Sequence, residues 1–134
     1  MPDTTPATVT NSPGSEPEGF IRTLSAAGFI GDIETSYASR LVVATDNSIY
    51  QQLPQAVLFP RTRADVACLA RVAKKFPDIR FAPRGGGTGT NGQSLTSWIV
   101  VDFSRYLRTV LELNLQQQWV RVEAGMVKDA LNDL

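Results

Sequence analysis

The chain has 134 residues, 43% of them hydrophobic and 19% charged, a composition that supports a folded domain over a disordered one. Thirteen basic residues offset thirteen acidic ones, which argues against a surface built to hold nucleic acid. With a single cysteine, Cys68, and no histidine, the chain can form no intrachain disulfide, no cysteine- or histidine-based zinc site and no histidine-dependent triad.

The amino-terminal stretch lacks the basic start and apolar centre of a signal peptide. No run of about 18 apolar residues follows it that could span a membrane. A cytoplasmic protein is the expected setting. Residues 1–17 are rich in Thr, Pro and Ser and read as a disordered tail. Residues 18–52 read as a helical segment. In its first helix Phe20, Ile21, Leu24 and Ala27 share a face, and Gly28 falls where a C-terminal cap belongs. In its second helix Ile33, Tyr37 and Leu41 follow at four-residue steps, and Thr45-Asp46-Asn47-Ser48 makes a turn. Residues 53–134 read as the first, incomplete part of a larger domain.

Within that part, Ala56-Val57-Leu58-Phe59 is an apolar run between Pro54 and Pro60, the pattern of a buried strand. Thr62 and Asp65 have the spacing of a capping box. Val66, Leu69, Ala70 and Ala73 then recur at helical intervals, with Lys74 and Lys75 in the last turn, where the helix dipole favours cations. Ile79-Arg80-Phe81-Ala82-Pro83 is a second strand, so a βαβ unit with parallel strands and a right-handed crossover is predicted. Trp98-Ile99-Val100-Val101-Asp102 is a third strand. Residues 110–114 and 119–123 alternate with period two around Leu115-Gln116-Gln117-Gln118, a β-hairpin pattern. Gly125 ends it. A last helix over 126–134, with Val127, Leu131 and Leu134 on one face, reads as cut short by the chain end, so a truncated α+β fold is expected.

The segment richest in chemical information is Arg84-Gly85-Gly86-Gly87-Thr88-Gly89-Thr90-Asn91-Gly92, with five glycines among residues 85–92. Without side chains, successive backbone N–H groups can converge on an anion, and left-handed conformations cost little. Arg84 adds a permanent charge and a planar fork of donors. Thr88, Thr90 and Asn91 add hydroxyl and amide donors. The plain alternative is a flexible turn between strands. Two phosphate motifs match by letter and fail by context. Residues 87–92 fit G-x-G-x-x-G, but only Gln93 to Ser97 separate Gly92 from the next strand, too few for the crossover helix that motif needs. Residues 87–94 approach the P-loop pattern, but Gln93 stands where its lysine must be. What remains is a phosphate-binding nest carried on a strand–loop–strand unit.

Leu53-Pro54-Gln55-Ala56-Val57-Leu58-Phe59-Pro60-Arg61-Thr62, then a helix, then Phe81-Ala82-Pro83-Arg84-Gly85-Gly86-Gly87-Thr88-Gly89 resembles the vanillyl-alcohol oxidase/p-cresol methylhydroxylase (PCMH) type of FAD-binding domain. Val100-Val101-Asp102-Phe103-Ser104 and Val122-Glu123-Ala124-Gly125 fit the same pattern, so the likeness covers roughly residues 40–134. Thr35-Ser36-Tyr37, Thr45-Asp46-Asn47-Ser48-Ile49-Tyr50 and Gly89-Thr90-Asn91-Gly92-Gln93 look like the D-2-hydroxyglutarate dehydrogenase type of bacterial flavoproteins. These fuse the FAD domain to a carboxy-terminal iron–sulfur domain. The resemblance implies the first subdomain of a PCMH-type domain, a βαβ unit plus a β-hairpin preceded by helices. It implies oxidation of a D-2-hydroxy acid (D-2-hydroxyglutarate or D-lactate) to the 2-keto acid, hydride transfer to FAD, and an electron acceptor that the sequence does not identify. It implies that Arg84 through Gly92 hold the FAD pyrophosphate, and that an iron–sulfur cluster belongs to the part beyond Leu134. Some relatives attach FAD through a histidine at the position of Thr88, so FAD here is expected to be non-covalent.

Two other functions stay open on the sequence: a PCMH-type oxidase or reductase of another alcohol, sugar or peptidoglycan precursor, and a non-catalytic phosphate or nucleotide binder. No residue of this stretch is a candidate catalytic group or metal ligand. Cys68 reads as a buried small hydrophobe, Asp46 and Asn47 as caps of the turn, and Trp98 and Trp119 as packing residues. Arg40 reads as a solvated helix residue or a phosphate contact, and Pro60 and Arg61 lie near where the resemblance puts the adenine.

Overall fold

Period-two burial organises the sheet. Ala56, Leu58, Ile99 and Val101 face one side and Val57, Phe59 and Val100 the other, all of them buried, as expected for central strands covered on both faces. The computed structural model describes residues 15–133. Its elements are α1 (Ser15–Ala26), β1 (Asp32–Glu34), α2 (Tyr37–Val42), β2 (Ala56–Phe59), α3 (Arg63–Ala73), β3 (Phe81–Arg84), β4 (Ile99–Asp102), β5 (Val110–Asn114), β6 (Trp119–Val122) and α4 (Lys128–Asn132). A four-stranded sheet runs in the order β1-β2-β4-β3, and β5 and β6 form a separate hairpin.

β2 and β3 both pair parallel with β4, at Leu58↔Val101 and Pro83↔Val101 among other positions. The predicted βαβ strands are therefore parallel but not neighbours, because β4 enters between them. The outer strand β1 is antiparallel to β2, with Ile33 opposite Leu58. This corrects the sequence reading of Ile33 as helical. Its spacing from Tyr37 and Leu41 mimics a helix face, but sheet pairing takes Ile33, and Ser36 caps a six-residue helix only afterwards. Tyr37 and Leu41 are left exposed.

α1 begins at Ser15, inside the stretch expected to be a tail; the rest of that stretch, residues 1–14, lies outside the described residues. Acidic Glu16 and Glu18 occupy its first turn, where the helix dipole favours them. Phe20 and Leu24 are fully buried, while Ala27 lies past the helix end and is exposed. Gly28, at φ 92°, stands where the sequence puts the cap. Phe20 meets Phe76 edge-on at 5.5 Å and Phe81 at 5.3 Å. These rings join α1, α3 and the sheet in one core with Cys68, Val72 and Ile79. Cys68 is buried as expected, its thiol donating to the Ala27 carbonyl at 3.4 Å.

The capping box at α3 is present and larger than its motif. Asp65 is 2% exposed. Its Oδ2 accepts the N–H groups of Thr62 (3.0 Å) and Arg61 (2.9 Å), and its Oδ1 accepts that of Ile30 (2.9 Å). Lys74 caps the helix end and Arg71 is the basic residue of the last turn. The hairpin has a register shift between Val110 and Glu112, with Gln118 at φ 56° in its turn. α4 spans only Lys128–Asn132 and buries none of its residues; Leu134 lies outside the described residues.

Candidate functional site

Phe59, Arg84 and Asp102 are the last residues of the parallel strands, so the segments after them emerge at one edge of the sheet. Ligands of open α/β sheets bind at such carboxyl edges. Asp102 is buried and closes β4 by accepting the Ser104 N–H at 2.8 Å and its hydroxyl at 2.6 Å. The glycine loop leaves the same edge from β3.

The loop's carbonyls and its donors are used differently. The carbonyl of Gly89 accepts the Asn47 N–H at 3.0 Å and that of Gly92 accepts the Leu95 N–H at 3.0 Å. The Asn91 N–H donates to the Gln93 side chain at 3.0 Å. By contrast, the backbone N–H groups of Gly85 through Thr90 have no hydrogen-bond partner among the described residues. Gly85, Gly86, Thr88 and Thr90 are exposed. Gly87 has φ 67°, a left-handed residue within the run that folds successive N–H groups into a concave nest. A Cβ at Gly85 would meet nothing within 4 Å, and one at Gly86 only the Thr88 methyl at 3.6 Å. The fold therefore leaves room for a Cβ at either position. This arrangement suits a ligand that carries phosphate oxygens, such as the FAD pyrophosphate.

Arg84 is placed differently from the rest. It ends β3, and its Nη1 donates to the Thr45 carbonyl at 3.0 Å and reaches the Ser94 hydroxyl at 3.5 Å. Asp46 accepts the Ser48 N–H at 2.8 Å and the Ser94 hydroxyl at 3.4 Å. Its carboxyl is held below the usual carboxylate range by hydrogen bonding from Ser48, with smaller help from Ser94 and the Arg84 charge. The turn caps itself, as expected of Asp46 and Asn47, and it also docks on the glycine loop.

The remaining site residues spread along the edge. Arg61 follows β2, which is two strands away from β3, or about 10 Å at ordinary strand spacing. It binds Asp32 at 2.8 Å and lies 4.8 Å from the centre of the Tyr106 ring. Asp32 also accepts the Tyr106 hydroxyl at 2.6 Å and Arg105 at 3.1 Å. Tyr106 and then Arg61 hold its carboxyl down at about 2, and the Asp32 carboxylate raises the Arg61 pKa in return. Arg105 stacks 3.4 Å from the Phe59 ring centre. The sequence reading missed this cluster, since its members lie up to 74 positions apart and only pairing of β1 with β2 brings Asp32 to it. Arg40 is half-buried and donates to the Pro54 carbonyl at 3.2 Å, so it ties α2 to the start of β2 and is not a solvated helix residue. Trp98 packs on the core. Trp119 donates to the Gln117 side chain at 2.9 Å and lies beside Arg121. A groove of about 570 Å³ between α3 and the hairpin includes no residue of the glycine loop.

Among the described residues no helix is long and apolar enough to cross a membrane, and no cluster of potential metal ligands occurs. The FAD-binding-domain family profile matches residues 54–134. The chain is 63% identical over 115 residues to the D-2-hydroxyglutarate dehydrogenase of Pantoea ananatis, a match covering 84% of this chain and 11% of that protein. It is 35% identical over 86 residues to the mitochondrial D-lactate dehydrogenase [cytochrome] of Kluyveromyces lactis, covering 61% of this chain and 15% of that one. Among solved structures, alkyldihydroxyacetonephosphate synthase superposes with a TM-score of 0.74 at 18% identity, over 99% of this chain and 27% of the other, a likeness of fold. The chain thus spans about a tenth of the length of the D-2-hydroxyglutarate dehydrogenases it matches. Its sheet, hairpin and glycine loop are those of a PCMH-type first subdomain, and the chain belongs to the FAD-binding domain family.

Proposed function

We propose that this chain forms part of a cytoplasmic FAD-dependent oxidoreductase that converts a D-2-hydroxy acid, D-2-hydroxyglutarate or D-lactate, to the 2-keto acid. The observation that carries the reading is the run of unpartnered N–H donors from Gly85 through Thr90 at the carboxyl edge of the sheet, in a chain 63% identical to a protein named for that activity. The loop from Arg84 to Gly92 forms the FAD pyrophosphate site, its backbone N–H run making the direct contacts. The N–H run and the hydroxyls of Thr88 and Thr90 supply neutral donors, which bind a diphosphate without the helix dipole used by other nucleotide folds. Thr88 offers no nucleophile of the kind that attaches flavin through histidine, so FAD is held non-covalently.

FAD, when bound, accepts the hydride released as the hydroxy acid is oxidised. This chain's own part is to bind and orient. The rigid strand end at Arg84 and the docked turn at Thr45 to Ser48 fix the nest before the ligand arrives, which limits the ordering cost of binding. The substrate carboxylate pocket, the proton-accepting group and any iron–sulfur cluster are assigned to the remaining length by which the relatives exceed this chain, and the electrons pass to an acceptor of undetermined identity. The test is anaerobic addition of D-2-hydroxyglutarate and of D-lactate to the intact flavoprotein. Bleaching of the flavin's visible absorption by one of them is expected. No bleaching by any D-2-hydroxy acid would overturn the substrate class.

A further inference from the structure

The geometry points to Arg84 as a positioning residue: it acts on the flavin site through the loop and not as a ligand of the pyrophosphate. This rests on the reading that the loop binds FAD, and it adds a second segment, residues 45–48, to the site. That segment lies outside the 54–134 family match.

Three observations converge. The guanidinium's Nη1 faces the Thr45 carbonyl at 3.0 Å and the Ser94 hydroxyl at 3.5 Å, so one arm of the fork is held by the protein. The rest of the fork lies under Gly87. A Cβ added there would stand 2.5 Å from Arg84 Cζ and 3.1 Å from Nε, and closer still to Nη2. Gly87 is thus required twice, for its φ of 67° and for the space that Arg84 fills. Finally, the turn that Arg84 grips is the one whose Asn47 N–H binds the Gly89 carbonyl at 3.0 Å, and whose Asp46 accepts the Ser94 hydroxyl. Strand end, loop and turn are tied through one side chain. A ligand arginine needs its planar fork free to meet two phosphate oxygens, and here Nη1 is already committed to the Thr45 carbonyl while Cζ and Nε lie against Gly87. The anion contacts fall to the N–H run, and Arg84 sets the curvature of that run.

The test uses the intact protein with flavin removed and then restored, in Arg84→Ala, Gly87→Ala and the double variant. Two quantities are read: amide hydrogen exchange at Asn47 without flavin, and the dissociation constant for FAD. Arg84→Ala should speed Asn47 exchange roughly tenfold or more while the amides of Val57 and Val100 keep their rates, because only the turn comes loose. FAD should weaken roughly tenfold or more. Gly87→Ala should do the same. Because the clash with Arg84 is one part of the Gly87→Ala penalty and the φ of 67° is the other, Gly87→Ala should cost measurably less on top of Arg84→Ala than it does alone. Weakened FAD with Asn47 exchange at the wild-type rate would make Arg84 a direct ligand and overturn the proposal. Fully additive penalties would overturn it as well. Faster exchange with unchanged FAD affinity would leave the brace standing and refute the loop as the pyrophosphate site. If Arg84→Ala yields no folded protein, Arg84→Lys keeps a cation under Gly87 without the fork, and smaller increases in both readouts are expected. Wild-type values for both would overturn the assignment.

Discussion

Removal of the Asp65 carboxylate should open the first turn of α3 and the chain on either side of it. Asp65 is 2% exposed and accepts N–H groups from Ile30, Arg61 and Thr62. Asp65→Ala orphans all three, and an orphaned donor costs about 1–3 kcal/mol. Ile30, Arg61 and Thr62 are themselves exposed residues, so water reaches part of each group and the low end applies, about 1 kcal/mol apiece and about 3 kcal/mol together. Asp65→Asn keeps one acceptor oxygen and presents an NH2 at the other position. If the oxygen stays on the side of Arg61 and Thr62, only the Ile30 bond is lost, at about 1 kcal/mol. Amide exchange in the intact protein separates these cases, since every 1.4 kcal/mol is tenfold. The amides of Ile30, Arg61 and Thr62 should exchange about 100-fold faster in Asp65→Ala, whereas in Asp65→Asn only that of Ile30 should speed up, by about fivefold. If the alanine variant stays within about threefold of wild type, or the two variants match, the three bonds do not hold the turn.

Two further predictions concern stability. At Gly125 a Cβ would lie 2.5 Å from the Phe103 carbonyl carbon and 2.8 Å from the Leu107 carbonyl oxygen. Both are backbone atoms, so no side chain can move aside, and the Gly125 N–H bond to Leu107 at 2.8 Å breaks as well. Gly125→Ala should destabilise by about 3 kcal/mol or more and expose the β5–β6 hairpin to limited proteolysis; a wild-type cleavage pattern would show that the close approach carries no weight. Asp32, whose carboxyl is lowered from 3.8 to about 2, gives stability that is complete above pH 4 and is lost as pH falls through the folded value. The bound from that difference is about 2.5 kcal/mol, and solvent screening at half-exposed Arg61 and Arg105 reduces it to about 1 kcal/mol. Asp32→Asn should therefore flatten the acid limb of the stability profile between about pH 4 and pH 2 and shift the neutral plateau down; an unchanged acid limb would place the loss elsewhere.

The sequence was most legible where a local pattern and a tertiary demand agree. β2, and β4 as far as Val101, are apolar because both of their faces are covered, and the capping box at Thr62 forms as its letters suggest. The placement of the glycine loop was legible for the same reason: strand, loop and strand leave no room for a helix between β3 and β4. The rest depended on contacts that no local pattern records. Ile33 keeps helical spacing with Tyr37 and Leu41, yet its partner is Leu58, 25 residues on. β4 inserts between the two strands of the βαβ unit, which periodicity cannot order. The bond from Arg84 Nη1 to the Thr45 carbonyl, 39 positions away, has no local signal either. Gly125 reads as a strand breaker, and its reason is the backbone of Phe103 lying against it.

The central claim is that the N–H run of the glycine loop binds the FAD pyrophosphate, and Gly86 tests it most directly. A Cβ at this position meets only the Thr88 methyl at 3.6 Å within the protein, and its φ is not in the left-handed region, so Gly86→Val is expected to keep the fold while crowding the exposed N–H run. FAD content per intact polypeptide should fall to a small fraction of wild type, with circular dichroism and thermal stability of the flavin-free protein unchanged. Full flavin content in Gly86→Val would contradict the account.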